Sequence, residues 1–177
     1  MSATSRSPSS VGFLQPTKFE LVFARLPSTT YFCQTVNIPG VSLGEVVTPT
    51  PFADLYSPGE KLVYESLSLD FLIDEEMKGW QEIHDWMRGA GKPTTFDEYK
   101  SLSSISKAGI VATKPQFSDA TLMVHSALNN TKLRFDFVDC FPTSLSSINF
   151  DTKENADTII TSTVTLRYTY FNISRLS

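Results

Sequence analysis

Apolar and polar positions alternate along much of the chain, which predicts a protein built mainly of β-strands. Side chains two apart share one side of a strand, so a strand with one buried face shows this period. The first strand ends in a predicted turn at Leu26-Pro27-Ser28, and Cys140-Phe141-Pro142-Thr143 closes a later one. The predicted strands are Phe19–Phe23, Tyr31–Val36, Lys61–Ile73, Phe117–Leu128, Leu133–Cys140 and Thr158–Phe171.

The period changes after Ile73, where an amphipathic helix is predicted. Five apolar residues fall three or four apart, or adjacent, which places them on one side of a helix. Asp74 occupies a position suited to an N-cap, and Arg88 followed by Gly89 suits a C-terminus. We therefore predict a helix over Asp74–Arg88 that packs on the sheet. Its predicted packing face consists of Met77, Trp80, Ile83, Trp86 and Met87.

The segment Val41–Pro58 shows no helical period and predicts a long projecting hairpin or extended loop. Pro49, Pro51 and Pro58 stiffen it, and strand-like ends flank its centre. Loops of this length without internal structure are uncommon in compact domains. Its apolar residues are costly to leave in water, which favours a partner surface. A loop folded back on its own core is the alternative.

Length and composition are typical of one domain. The chain has 177 residues, of which 41% are hydrophobic, enough for a core. Residues 1–12, rich in Ser, Thr and Pro, predict a flexible arm that is either an unstructured tail or a docking arm. Residues 13–177 predict a single domain, with 89–116 as a loop excursion. Sequential hairpins favour antiparallel pairing, so we predict an antiparallel β-sandwich or barrel with one flanking α-helix.

Charge and cysteine content narrow the classes of function. The net charge is −4 and Lys and Arg are not clustered, which argues against binding of DNA through its phosphates. Charged residues are only 19% of the chain and Phe numbers 13, which suggests burial against neighbours. No apolar run approaches a membrane span, so no membrane association is predicted. Cys33 and Cys140 predict two buried thiols, with a disulfide as the alternative.

The sequence shows no pattern typical of a catalytic or metal site. His84 and His125 do not share a metal-binding spacing with the cysteines. The run Gly89–Lys92 follows a predicted helix, whereas a phosphate-binding loop precedes one. A hydrolase that uses Asp70 or His84 lacks an accompanying nucleophile or metal set. We therefore predict no enzyme activity, no cofactor and no metal.

Most of the chain resembles the tail-tube proteins of contractile-tailed bacteriophages. Residues 31–88 contain YFCQTVNIPG and later PGEKLVYESLSLDFLIDEEMKGWQEIHDWMR. The end, LRFDFVDCFPTSLSSINFD followed by TIITSTVTLRYTYF, is similar to the C-terminal strands of that family, and FLQPTKFELVFARLPST resembles its start. Each motif is loose, but their order and spacing together are specific. The arm and residues 89–116 lie outside the resemblance.

The resemblance implies a structural virion protein. It implies hexameric rings that stack into the tail tube, the conduit for genome ejection, as the major tube subunit or as a tube initiator on the baseplate. The implied partners are further copies of the chain, the tail sheath and baseplate or hub proteins. DNA would pass through the lumen without specific binding, and the tail would assemble in the host cytoplasm. The hairpin Val41–Lys61 would reach the adjacent ring, and the residues assigned to ring stacking are Val46, Val47, Phe52, Leu55 and Tyr56.

A second hypothesis follows from the same loop. A monomeric β-sandwich could use Pro49–Tyr56 to bind a peptide or a glycan. This hypothesis predicts a monomer with an exposed aromatic patch, whereas the first predicts self-assembly.

Overall fold

A computed structural model describes residues 13–23, 25–91, 97, 116–153 and 158–176. The predicted arm and most of the 89–116 excursion lie outside these residues. Within them the chain forms nine strands and two helices. The elements are β1 (Phe19–Phe23), α1 (Pro27–Tyr31), β2 (Cys33–Val36), β3 (Val41–Pro49), β4 (Asp54–Tyr64), β5 (Leu67–Leu72), α2 (Lys78–Gly91), β6 (Ser118–His125), β7 (Thr131–Leu145), β8 (Thr161–Arg167) and β9 (Tyr170–Arg175).

Seven of the strands form two antiparallel sheets that share the long strand β7. Sheet I has the order β1-β6-β7-β9 and uses the first part of β7, up to Cys140. Sheet II has the order β7-β8-β5-β2 and uses the last part, from Phe141 onward. Asp139, just before the end of the first part, has a φ of 55°, a left-handed conformation that Asp tolerates better than most residues. The prediction of a mainly antiparallel β-fold with a flanking helix is confirmed.

Alternate residues of both sheets point into one hydrophobic core. The core includes Leu21, Phe23, Leu67, Leu69, Phe71, Leu122, Val124, Phe135, Phe137, Val164 and Leu166. Helix α2 adds Ile83 and Trp86, which are completely buried. It also contacts α1, where the Thr29 hydroxyl donates a hydrogen bond to the Gly79 carbonyl over 3.2 Å. The strand alternation in the sequence therefore marks the residues that fill the interior.

The helix begins four residues later than the sequence predicts. It runs over Lys78–Gly91 rather than Asp74–Arg88. The Met77 N–H donates to the Asp74 carbonyl in a turn, and Met77 has a φ of 53°. A residue in the left-handed region cannot continue a right-handed helix, so the helix starts after Met77. Asp74 is therefore not its N-cap, and the prediction of that boundary is wrong.

The predicted first turn and second strand also differ from the structure. Pro27 begins the short helix α1 instead of a simple turn, since proline suits the first helical position. The following strand is thereby shortened to Cys33–Val36.

Two predicted strands are each divided. The stretch Lys61–Ile73 spans β4 and β5, because among the described strands β4 pairs only with β3, whereas β5 pairs with β2 and β8. The stretch Thr158–Phe171 spans β8 and β9, which follow each other along β7 with a break at Tyr168 and Thr169. Strand β7 itself continues through Pro142, next to a shift in its register with β8, where proline is tolerated.

Candidate interaction site on the projecting hairpin

Within the described part of the chain, strands β3 and β4 form a hairpin that pairs with neither sheet. Every residue of β3 is exposed, and so is all of β4 except Gly59 and Tyr64. The predicted hairpin is therefore present, and it does not fold back onto the core. A two-stranded hairpin is at best marginally stable in water when it packs on nothing else. This one has the properties of a segment that is completed by another surface.

Apolar side chains occupy both faces of the hairpin. Val47 is directly opposite Tyr56 on one face, whereas Val46 and Leu55 lie on the other. Val47 is the least exposed of the residues that the sequence assigns to stacking, at 44%, and Phe52 at the tip is fully exposed. Apolar groups on both faces need a covering surface on each side if they are to be removed from water.

Hydrogen bonds and ring contacts hold the two ends of the hairpin. At the tip, the Thr50 N–H donates to the Ala53 carbonyl over 3.2 Å. At the base, the Glu65 N–H donates to the Gly40 carbonyl over 3.0 Å. The Tyr64 ring packs near that of Phe171, with 5.5 Å between centroids, and so attaches the base to the core. The base is therefore fixed while the distal part projects.

Two glycines allow a close backbone approach in the middle of the hairpin. A Cβ added at Gly59 would lie 2.6 Å from the carbonyl oxygen of Gly44, which is too close for any side chain. The strand register shifts at the same place, between Leu43 and Glu45, as in a β-bulge. Glycine is thus required at position 59 by contact rather than by backbone conformation.

We expect Gly59→Ala to loosen the middle of the hairpin without unfolding the core. Limited trypsin digestion should cut after Lys61 about tenfold faster, which corresponds to a local destabilisation of about 1.4 kcal/mol. Gly91→Ala is the matched control, because a Cβ there has no atom of the described residues within 4 Å. Equal cleavage rates for Gly59→Ala and the unmodified chain would contradict the close approach.

The residues of the predicted helix face lie at different depths. Ile83 and Trp86 are in the core, and the Trp86 indole N–H donates to the Gln116 carbonyl over 2.9 Å. Trp80 and Met87 are only partly buried and pack against the core from outside. Met77, which precedes the helix, belongs to the turn described above. The helix therefore presents two core residues with two more at the core boundary.

The outer side of sheet II carries a row of hydroxyl groups that no motif in the sequence indicates as a site. Asp70 on β5 accepts hydrogen bonds from Thr35 on β2, over 2.5 Å, and from Thr163 on β8, over 2.6 Å. The alternation of Thr and apolar residues in β8 is visible in the sequence. The sequence does not show which strands pair on either side of Asp70. We name the polar residues of this side the hydroxyl face; they are Thr35, Ser68, Asp70, Thr161, Thr163 and Thr165, and Leu72 lies on the same side opposite Thr161.

Chemistry beyond these surfaces is sparse. The described part of the chain has no group of three or more His, Cys, Asp or Glu placed to hold a metal ion. In the same ranges no helix is long and apolar enough to cross a membrane. Cys33 and Cys140 are free thiols, so the alternative of a disulfide is wrong. Burial raises the pKa of Cys140 to about 12 and that of Cys33 to about 11, so both are protonated at neutral pH.

The raised pKa of Cys140 predicts a loss of stability in alkaline solution. The thiol ionises near its ordinary pKa of 9.0 in the unfolded chain but only near about 12 in the folded chain. The contribution of the neutral Cys140 thiol to the free energy of unfolding is therefore fully present below about pH 9. It falls as the pH rises toward 12, because ionisation favours the unfolded state. Urea unfolding at about pH 8 and about pH 10 should show this decrease, and Cys140→Ala should reduce it. A variant with an unchanged pH dependence would contradict the assignment to Cys140.

Comparison with known proteins identifies the family. A family model described as phage tail tube protein matches residues 24–174. The tail tube terminator protein of Enterobacteria phage T4 is 29% identical over 153 residues, which covers 82% of this chain and 78% of that protein.

Solved structures share the fold at low identity. A chain of the anti-feeding prophage cap, its tube terminating cap, aligns with a TM-score of 0.59 at 13% identity and covers 99% of this chain and 100% of that one. A chain of the PVC sheath–tube complex in the extended state, from an extracellular contractile injection system, aligns with a TM-score of 0.56 at 14% identity and covers 99% of each chain. These likenesses concern the fold, whereas the family model spans most of the sequence. The chain therefore belongs to the phage tail tube protein family.

Proposed function

We propose that six copies of this chain form a ring that closes the end of a contractile tail tube. The observation that carries the proposal is the β3–β4 hairpin, which is exposed along its length and carries large apolar side chains on both faces. Membership of the tail tube family supports ring formation. Similarity to the T4 terminator favours the end of the tube over its body or the initiator position on the baseplate.

The hairpin provides the contact with the adjoining ring. Each large apolar side chain contributes roughly 1.5–3 kcal/mol when it is fully buried. Val46 and Leu55 on one face, with Val47 and Tyr56 on the other, would become buried if the hairpin inserts between two subunits of that ring. Six hairpins act together, so even a modest contact per subunit produces a stable stack.

Strand edges provide the contact within a ring. Among the described residues, β1 and β9 at the two edges of sheet I, and β2 at one edge of sheet II, each pair on one side only. Pairing with a neighbouring copy would cover such edges, and a contact repeated by a sixfold rotation closes on itself.

The proposed role is structural rather than catalytic. The ring would let DNA pass through its lumen during genome ejection without specific binding, in keeping with a net charge of −4. Its partners would be the tail tube, the sheath and, through the tube, the baseplate or hub proteins, in a tail assembled in the host cytoplasm. A monomeric module for a peptide or glycan is not favoured, because a hairpin with large exposed apolar side chains on both faces is suited to insertion between surfaces.

The test is to add the purified chain to polymerising major tube subunits of the same phage. Tubes should become shorter as the amount of the chain rises, and electron microscopy should show a ring at one end. Polymerisation of the chain into long tubes by itself would instead identify a major tube subunit. Tubes of unchanged length with bare ends would contradict the proposal.

A further inference from the structure

We propose that the free edge of β3 pairs with an extended strand of a subunit in the adjoining ring, so that the hairpin becomes part of a three-stranded sheet. This inference rests on the proposed function, since it requires an adjoining ring. It specifies how the hairpin is bound, because burial of apolar side chains alone does not determine which of its two edges meets that subunit.

The hydrogen bonds at the two ends of the hairpin determine which backbone amides of β3 point away from β4. In an antiparallel pair, opposite residues alternate between those that share hydrogen bonds and those that do not. Thr50 and Ala53 are bonded at the tip, and Gly40 and Glu65 at the base. Counted along the register from either end, every odd-numbered residue of β3 directs its backbone polar groups outward. These residues are Val41, Leu43, Glu45, Val47 and Pro49.

The outward edge of β3 is regular. The register shift adds its extra residues to β4, because Leu43 and Glu45 are two apart on β3 whereas their partners, Leu62 and Pro58, are four apart on β4. The edge of β3 therefore offers an amide donor at each outward position before Pro49. Among the described residues, β3 pairs only with β4, so this edge is unpaired. A row of unpaired donors and acceptors is a template for another strand.

The outward edge of β4 is interrupted in three places. Pro58 has no N–H to donate. The extra residues of the register shift follow it directly and break the alternation of the strand. Near the base, the carbonyl of Tyr64 already accepts a hydrogen bond from Arg167 over 3.2 Å. Prolines and bulges are features that protect a strand edge from pairing, so of the two edges that of β3 is suited to accept a strand.

The side chains of β3 indicate the chemistry of the partner strand. Val41, Leu43 and Val47 lie on the same face as Glu45, since residues two apart point to one side of a strand. All are exposed, and Glu45 is opposite the uncharged Pro58 on β4. Opposite charges on neighbouring strands attract each other. The partner strand should therefore be apolar on this face, with a Lys or Arg beside Glu45.

Amide hydrogen exchange of the full chain, free and bound to preformed tail tubes, tests the inference at single residues. Leu43 and Leu62 are a matched pair, because they are directly opposite, their side chains are each 52% exposed, and their amides point outward on the two different edges. On tubes, exchange at Leu43 and Val47 should slow at least about tenfold, and exchange at Leu62 should change little. Equal protection of both edges, or none along β3, would overturn the inference.

Proline variants of the same two leucines provide an independent readout. Leu43→Pro and Leu62→Pro lose the same side chain, and each loses one outward N–H. Leu43→Pro should bind tubes at least about tenfold more weakly than Leu62→Pro, because only its lost amide would leave an acceptor on the partner strand unpaired. In both free variants, the inward amides of Val46 and Thr48 should still exchange more slowly than the outward ones, which checks that the hairpin is intact. Equal affinities of the two variants would contradict strand pairing along β3.

The outcomes separate this inference from the proposed function. A chain that binds tube ends without selective protection of β3 would overturn the inference and leave the proposed function intact. Protection of the same β3 amides in the concentrated chain without tubes would place the partner strand in a second copy, and would also overturn it. If the unsubstituted chain did not bind tubes at all, the proposed function would fail and the strand pairing with it.

Discussion

Replacing Phe52, Leu55 and Tyr56 with serine is expected to abolish binding of the rings to the tail tube while leaving the subunit folded. These side chains are 58% to 100% exposed, so the core does not depend on them. Their burial in an adjoining ring would be lost, and we expect affinity to fall at least about 100-fold, or about 2.7 kcal/mol. Co-sedimentation of the variant with preformed tubes measures this loss.

A single exposed leucine elsewhere provides the control. Leu128 lies in the turn between β6 and β7 and is 83% exposed, so Leu128→Ser removes an apolar surface group away from the hairpin. We expect it to co-sediment with tubes as the unsubstituted chain does. The thermal unfolding midpoints should be similar in all three proteins. Normal tube binding by the triple variant would show that the hairpin is not the stacking contact.

Trp86→Ala is expected to have the largest effect on stability, with a loss of about 3–5 kcal/mol in the free energy of unfolding. The side chain is 1% exposed and lies where α2 packs on the sheets. Its removal would leave a large cavity and an unpartnered carbonyl at Gln116. Because domains of this kind are stable by only about 5–15 kcal/mol, the midpoint of urea unfolding should move to a much lower urea concentration.

Two further variants separate the causes of that loss. Trp86→Phe keeps much of the packing but removes the indole N–H, so it should lose less, about 1–3 kcal/mol. Trp80→Ala acts on a tryptophan of the same helix that is only partly buried, and its effect should be clearly smaller than that of Trp86→Ala. A loss below about 1 kcal/mol for Trp86→Ala would mean that α2 does not hold the core as described.

The local pattern of apolar and polar residues predicted which segments are strands and which side of the helix is buried. It was less accurate about the residues at which these elements begin and end. The alternation of Leu67, Leu69 and Phe71 with polar residues identified β5, since this strand has one buried and one open face. The three-to-four spacing likewise identified Ile83 and Trp86 as neighbours on one helix side. These features depend on nearby residues alone, so the sequence contains the information.

The start of α2 depends on a conformation that no local pattern revealed. Asp74 with two following glutamates has the composition of a helix N-terminus, which favours that boundary. The backbone instead turns left-handed at Met77, and the Met77 carbonyl accepts the Gln81 N–H over 2.9 Å. The preference of a cap residue was overridden by the path of the chain from β5 to the helix.

The division of strands between sheets also lay beyond the sequence pattern. The strand-like pattern of apolar residues continues across Glu65 without a break. In the structure, however, β4 ends at Tyr64 and β5 joins a different sheet. The change of sheet along β7 occurs between Cys140 and Phe141, two apolar residues that give no local sign of it. Which strands meet is decided by long-range pairing, and for the same reason the contact between Asp70 and its two threonines could not be predicted.

Negative-stain electron microscopy of the purified chain, concentrated alone and mixed with short tail tubes, tests the central claim most directly. The account predicts sixfold rings with an open centre, either free in solution or seated on tube ends. A chain that stayed monomeric and left the tube ends bare would contradict the account. The exposed hairpin would then have to bind something other than a tail tube.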